Sequence, residues 1–138
     1  MMKLTTHLKF NGRCREAFEF YERCLGGKIT SMMTYGDSPM AEKPAPQWRE
    51  KVLHATLVTG EGRLYGIDVG PEEKYQPPAG FEVTIGLSDG AEADRIFARL
   101  SEGGKVKMPL QKTFWASAFG VVVDRFGISW EVNCGAPS

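Results

Sequence analysis

Cysteine is scarce in this chain, with three residues among 138, and they form an odd set that lacks a C-x-x-C spacing. That odd set does not read as a disulfide framework, and Cys14 and Cys24 lie too far apart along one expected helix to pair. The cysteines are read as reduced thiols, two of them packing groups, in a cytoplasmic protein. Net charge is absent too, since 17 basic residues balance 17 acidic ones. Without a run of like charge, neither nucleic acid nor an anionic membrane surface is expected as a partner. No apolar stretch approaches the ~18 residues of a membrane span, and no apolar core follows the basic residue near the start as a secretion signal requires. Histidine is limited to His7 and His54.

What the chain does contain is a repeat. The first copy reads His7-Leu8-Lys9-Phe10-Asn11-Gly12, then a helical stripe through Ala17, Phe18, Tyr21 and Leu25, then Gly26-Gly27-Lys28-Ile29. The second reads Thr84-Ile85-Gly86-Leu87-Ser88-Asp89, a stripe through Ala93, Ile96, Phe97 and Leu100, then Gly103-Gly104-Lys105-Val106. Each copy spells strand, turn, amphipathic helix, and a strand released by Gly-Gly. Duplication of a unit this size predicts two similar modules, with a pocket built between them. By size the chain is one domain, 1–138, with module 1 at about 1–70, a Pro-rich linker at 71–80 and module 2 at about 81–138.

Alternation places the first strand at Leu4 to Phe10, with Leu4, Thr6, Leu8 and Phe10 on one face. The helix follows through positions 14–25, and Ile29 to Tyr35 forms the second strand. Three prolines between Asp37 and Gln47 prevent regular structure there and mark a long surface loop. Val52 to Thr59 and Arg63 to Val69 form a hairpin around Gly60-Glu61-Gly62. That turn superficially resembles a phosphate loop, but no helix follows it. Module 2 repeats the plan with strands at 81–87, 105–114, 119–124 and 128–133 and a helix at 91–100.

Strand parity then locates candidate site residues. Val83, Ile85 and Leu87 should face their helix, leaving Glu82, Thr84 and Gly86 on the other side, where Thr5, His7 and Lys9 match them. Laying Gly127-Ile-Ser-Trp-Glu131 over Gly62-Arg-Leu-Tyr-Gly66 makes Glu131 and Gly66 equivalent, with Asp68 further along the same face. Phe114, Trp115, Phe119 and Trp130 provide aromatic groups in the second half, and Met32, Met33, Tyr35 and Trp48 in the first. Such residues suit either a binding wall or a core. Trp48, among polar neighbours after the proline loop, is placed at a mouth or interface.

Together these residues resemble the vicinal oxygen chelate superfamily of glyoxalase, bleomycin-resistance and dioxygenase proteins, specifically its PhnB-like branch. The motifs that carry the resemblance are Phe10-Asn-Gly12, Glu16-Ala-Phe-Glu-Phe-Tyr21, Leu25-Gly-Gly27 and His54-Ala-Thr-Leu57. In the second half they are Gly103-Gly-Lys-Val-Lys-Met-Pro-Leu110, Thr113-Phe-Trp115, Phe119-Gly120 and Asp124-Arg-Phe-Gly127 with Trp130. The resemblance implies an α+β fold: two β-α-β-β-β modules forming a cup-shaped, mostly antiparallel sheet, commonly as a homodimer. It also implies a four-ligand metal position, which here falls on Thr5, Gly66, Glu82 and Glu131. That tetrad is broken, and two carboxylates alone would hold Mg²⁺ or Mn²⁺ only weakly.

The expected function is binding of a small molecule in an aromatic-lined cup without the usual metal site. Candidate ligand-binding residues are His7, His54, Trp115 and Phe119. Glu82 and Glu131 are candidate acid–base groups; if they share a cavity, like charge should raise their joint pKa. The alternative is a metal-dependent lyase, isomerase or dioxygenase, with a divalent ion held by Glu82, Glu131, His7 and His54. Each candidate also has a structural reading: His54 as a hydrogen-bonded core residue, His7 as solvated, and the acids as ion-pair partners of Lys9, Lys105 or Arg63. The methyltransferase label often given to this branch is not expected to apply, because no strand-Gly-x-Gly-helix element is present to hold a nucleotide-like methyl donor.

Overall fold

The computed structural model describes residues 1–39, 46–70 and 73–135. The centre of the proline loop and part of the linker lie outside them. Backbone contacts divide the chain into unit 1, residues 1–76, and unit 2, residues 77–138. Each unit carries one helix on one four-stranded mixed sheet, so the chain is α+β with two β-α-β-β-β modules. No helix among the described residues is long and apolar enough to cross a membrane.

Unit 1 comprises β1 (Thr6–Phe10), α1 (Cys14–Leu25), β2 (Lys28–Thr34), β3 (Val52–Thr59) and β4 (Gly62–Asp68), in sheet order β1-β4-β3-β2. β1 and β4 run parallel, and the other neighbours are antiparallel. The apolar stripe of α1 buries Cys14, Ala17, Phe18, Tyr21 and Cys24. Gly26 ends the helix in the left-handed region, φ 71°, where glycine has no steric penalty. No side chain at the helix start caps α1. Asp68 does so from the end of β4, accepting from Gly12 N at 2.8 Å and Cys14 N at 3.0 Å. Its second oxygen accepts from Val52 N at 2.9 Å, so one carboxylate fastens three segments.

Unit 2 comprises β5 (Val83–Leu87), α2 (Gly90–Ser101), β6 (Lys105–Gln111), β7 (Ala118–Val123) and β8 (Ser129–Cys134), in order β5-β8-β7-β6. Here the helix cap is local, with Asp89 accepting from Ala91 N at 3.0 Å. Ala93, Ile96, Phe97 and Leu100 face the sheet. The β7–β8 turn is organised by buried Asp124, which accepts from Phe126 N, Ile128 N and the indole Nε1 of Trp130 at 2.8, 3.0 and 2.9 Å. Trp130 is therefore a core residue and not part of an aromatic wall.

Other sequence readings need correction. β1 begins at Thr6, and Leu4 is 92% exposed, because it has no opposing strand against which to bury. β6 ends at Gln111, and the chain then turns through Thr113, whose N–H donates to Ala116 O at 3.1 Å. All three cysteines are free and buried. Trp48 is half-buried and sits edge-on to Tyr35 at 5.9 Å.

Candidate functional site

Each sheet has a face turned away from its helix, and the pairing register determines which residues occupy it. In unit 2, Thr84 pairs with Glu131 and Glu131 with Val121, so these three form one row across β5, β8 and β7. The next row is Gly86, Asn133 and Phe119. Gly120 lies on the opposite side, where a Cβ would strike the Phe97 ring of α2 at 2.7 Å. The row containing Glu131 therefore faces away from the helix.

In unit 1 the equivalent row is His7, Tyr65 and Thr56. The ladders end at Phe10 with Asp68 and at Leu87 with Cys134, which makes Tyr65 the counterpart of Glu131. The assignment of Gly66 to that position is overturned. Gly66 faces α1, with a Cβ there meeting Phe18 Cζ at 2.6 Å and Cys14 Sγ at 2.9 Å. Asp68, two residues on, likewise turns inward to cap α1 rather than towards the open face.

Glu82 and Glu131 do come together in unit 2. Thr84 Oγ1 donates to Glu131 Oε1 at 2.9 Å. The Glu82 carboxyl lies in hydrogen-bonding reach of Glu131, and its pKa is raised mainly by that bond, then by desolvation and by the neighbouring charge. The Ser129 hydroxyl opposes the shift. Two carboxyl groups hydrogen-bond only when one of them holds the proton, which is the physical content of the upward shift. Neither acid forms an ion pair among the described residues; Lys9 instead pairs with Glu73 at 2.7 Å. Glu82 is exposed and Glu131 half-buried.

The aromatic wall of unit 2 is narrower than the sequence suggested. Phe114 and Trp115 stack edge-to-face at 4.8 Å, and Trp115 and Phe119 at 5.1 Å. Phe114 is 88% exposed and Trp115 44%, unusual for rings of this size. Beside Phe119 the side-chain Oδ1 of Asn133 is buried and has no hydrogen-bond partner among the described residues. Nothing lies within 4 Å of the Cβ position over Gly86, the residue paired with Asn133. Sequence reasoning missed Asn133, although its place two residues beyond Glu131 on the same strand was a usable signal.

In unit 1, His54 packs against Tyr65 with ring centroids 5.2 Å apart, and His7 packs edge-on to both, 6.1 Å from Tyr65 and 6.5 Å from His54. His54 Nε2 bonds Thr56 Oγ1 at 3.1 Å, so it is half-buried and held rather than free. The pKa of His7 is lowered, first by desolvation and then by His54 and Lys9, which favours the neutral ring near pH 7. Within either unit, among the described residues, no three His, Cys, Asp or Glu side chains group closely enough to hold a metal ion.

Comparison with known proteins places this architecture. The model of the family described as 3-demethylubiquinone-9 3-methyltransferase matches residues 2–133. The chain belongs to that family. Its fold is that of the vicinal oxygen chelate superfamily, and the family is the PhnB-like branch. Protein PA1353 from Pseudomonas aeruginosa is 44% identical, with a TM-score of 0.91 over 98% of both chains. The PhnB protein from Bacillus cereus is 26% identical, with a TM-score of 0.76 over 97% of this chain and 100% of its own. Protein YjdN from Escherichia coli K12 is 29% identical, over 96% of this chain and 95% of its own. By the ladder register, Tyr65 rather than Gly66 is the counterpart of Glu131, and Thr5 that of Glu82.

Proposed function

We propose that this PhnB-like protein binds a small organic molecule on the helix-free faces of its sheets and does so without the usual metal site. The observation that carries the reading is the unpartnered Oδ1 of Asn133, flanked by Phe119 and by open ground over Gly86. A buried acceptor left without a donor costs about 1–3 kcal/mol, which a ligand N–H or O–H would recover. Trp115 and Phe119 supply an apolar wall, and Thr84 and the carboxyl pair supply hydrogen bonds of either sense, the combination usual in small-molecule sites. His7, His54 and Tyr65 are the corresponding ligand contacts of unit 1.

The donor set argues against the metal. Thr5 and Tyr65 offer only hydroxyl oxygens, which leaves Glu82 and Glu131 as the two strong oxygen donors of the set. Glyoxalase-type chemistry calls for three or four strong ligands. The alternative, a metal-dependent lyase, isomerase or dioxygenase, rests on the same Glu82 and Glu131. The reading also holds the chain to be a cytoplasmic homodimer.

Native mass spectrometry of freshly purified protein tests these statements together. The expected species is twice the 15.3 kDa chain mass plus a small organic adduct, with the adduct lost in Trp115→Ala. A stoichiometric divalent metal that disappears in Glu131→Ala would overturn the binding reading in favour of the enzyme. A species of one chain mass would remove the dimer.

A further inference from the structure

We propose that unit 1 holds an oxyanion site over the row Thr5, Arg63 and Val58, one step along the helix-free face from His7, Tyr65 and Thr56. The register places it there. Thr6 pairs with Leu64 and Val58 with Arg63, so Thr5 and Arg63 precede paired residues and turn to the same side as His7 and Tyr65.

The face is recessed at this point. A recess of about 330 Å³ is lined by Lys3, Leu4, Thr5, Val58, Gly60, Glu61, Gly62 and Arg63. That volume matches a small metabolite rather than a water. Two cations, Lys3 and Arg63, line it, and neither has a hydrogen-bond or ion-pair partner among the described residues. The Arg63 guanidinium is a planar fork suited to a carboxylate or phosphoryl group, and the Thr5 hydroxyl adds a donor. Glu61, on the β3–β4 turn, is the one acidic residue of the lining and weakens the field.

The duplicate makes the charge choice informative. By register the positions of Thr5 and Arg63 in unit 1 correspond to Glu82 and Ser129 in unit 2. The unit 1 row thus carries a cation opposite Ser129, while the unit 2 row carries its acid opposite Thr5. The site lies on a different row of a different unit from Asn133, so its failure leaves the preceding reading untouched.

The test is an amide NMR titration of the full chain with inorganic phosphate and, separately, acetate, with ionic strength held constant by sodium chloride. Saturable shifts are expected at Thr5, Gly60, Gly62 and Arg63. Arg63→Gln should weaken binding about tenfold, the ordinary loss for one charge-assisted bond. Arg63→Lys should lose less, and Glu61→Gln should tighten binding. Saturation by phosphate alone identifies a phosphoryl ligand, and saturation by acetate as well identifies a carboxylate-tolerant site; both support the proposal. Shifts that track chloride equally, that scatter over the surface, or that persist unchanged in Arg63→Gln overturn it.

Discussion

Asp124→Ala should lower stability by about 3–5 kcal/mol, because three buried donors lose their acceptor at once. The carboxylate is 3% exposed and serves Phe126 N, Ile128 N and Trp130 Nε1. With one methyl group in its place, those donors lose that acceptor at a nearly fully buried position. The indole of Trp130 would lose its tether while remaining in the core. For a chain of this length the change corresponds to a drop of roughly 10–20 °C in melting temperature by calorimetry. Asp94→Ala, on the exposed side of α2, should change stability by no more than about 0.5 kcal/mol. Asp124→Asn keeps one acceptor oxygen and should fall between the two. An alanine variant as stable as the parent would show that Asp124 does not organise the turn.

Gly66→Ala is expected to cost about 3 kcal/mol, although it adds a single methyl group. The new Cβ would sit 2.6 Å from Phe18 Cζ and 2.9 Å from Cys14 Sγ, both on α1 and both fully buried. The ring has no room to retreat, since Phe18 already packs on Phe10 and Tyr21 with centroids 6.2 and 5.9 Å apart. Tyr65→Ala, on the adjacent residue but the opposite face, should cost about 1 kcal/mol, the value of its edge contacts with His7 and His54. The contrast between neighbours is the diagnostic. Were Gly66 on the open face, as alignment of the repeats suggests, its alanine variant would be silent and Tyr65→Ala would empty the core. Chemical denaturation of both variants decides between these registers.

That reversal shows where the sequence stops being readable. The helices were legible because Ala17, Phe18, Tyr21 and Cys24, and Ala93, Ile96, Phe97 and Leu100, recur at helical spacing and bury as one stripe. The Gly-Gly release and the β3–β4 hairpin followed from local turn chemistry. Parity on β5 was legible too, since Val83, Ile85 and Leu87 alternate against Glu82, Thr84 and Gly86. β4 was not, because its helix-facing set is Leu64, Gly66 and Asp68 while Tyr65 and Ile67 lie on the open face. An alternation rule expects the reverse. The turns preceding β4 and β8 also differ: Gly60-Glu61 in one, Asp124 to Gly127 in the other. Aligning glycine with glycine therefore slips the register by one residue, which exchanges the two faces.

Asp68 was beyond reach for another reason, since it caps a helix 54 residues earlier in the chain. No local pattern announces such a bond. The carboxyl pair was partly legible: parity put Glu82 and Glu131 on one face, and the structure added the Thr84 donor to Glu131 and the raised pKa of Glu82 beside it. Trp130 was left open between wall and core, because aromatic composition does not distinguish the two. Its indole bond to Asp124 settles the matter.

An electron-density map of the freshly purified protein tests the central claim most directly. The account predicts density against the Trp115 and Phe119 rings on the helix-free face, with a donor within hydrogen-bonding distance of Asn133 Oδ1. Density elsewhere on the molecule, with that oxygen still unpaired, would contradict it.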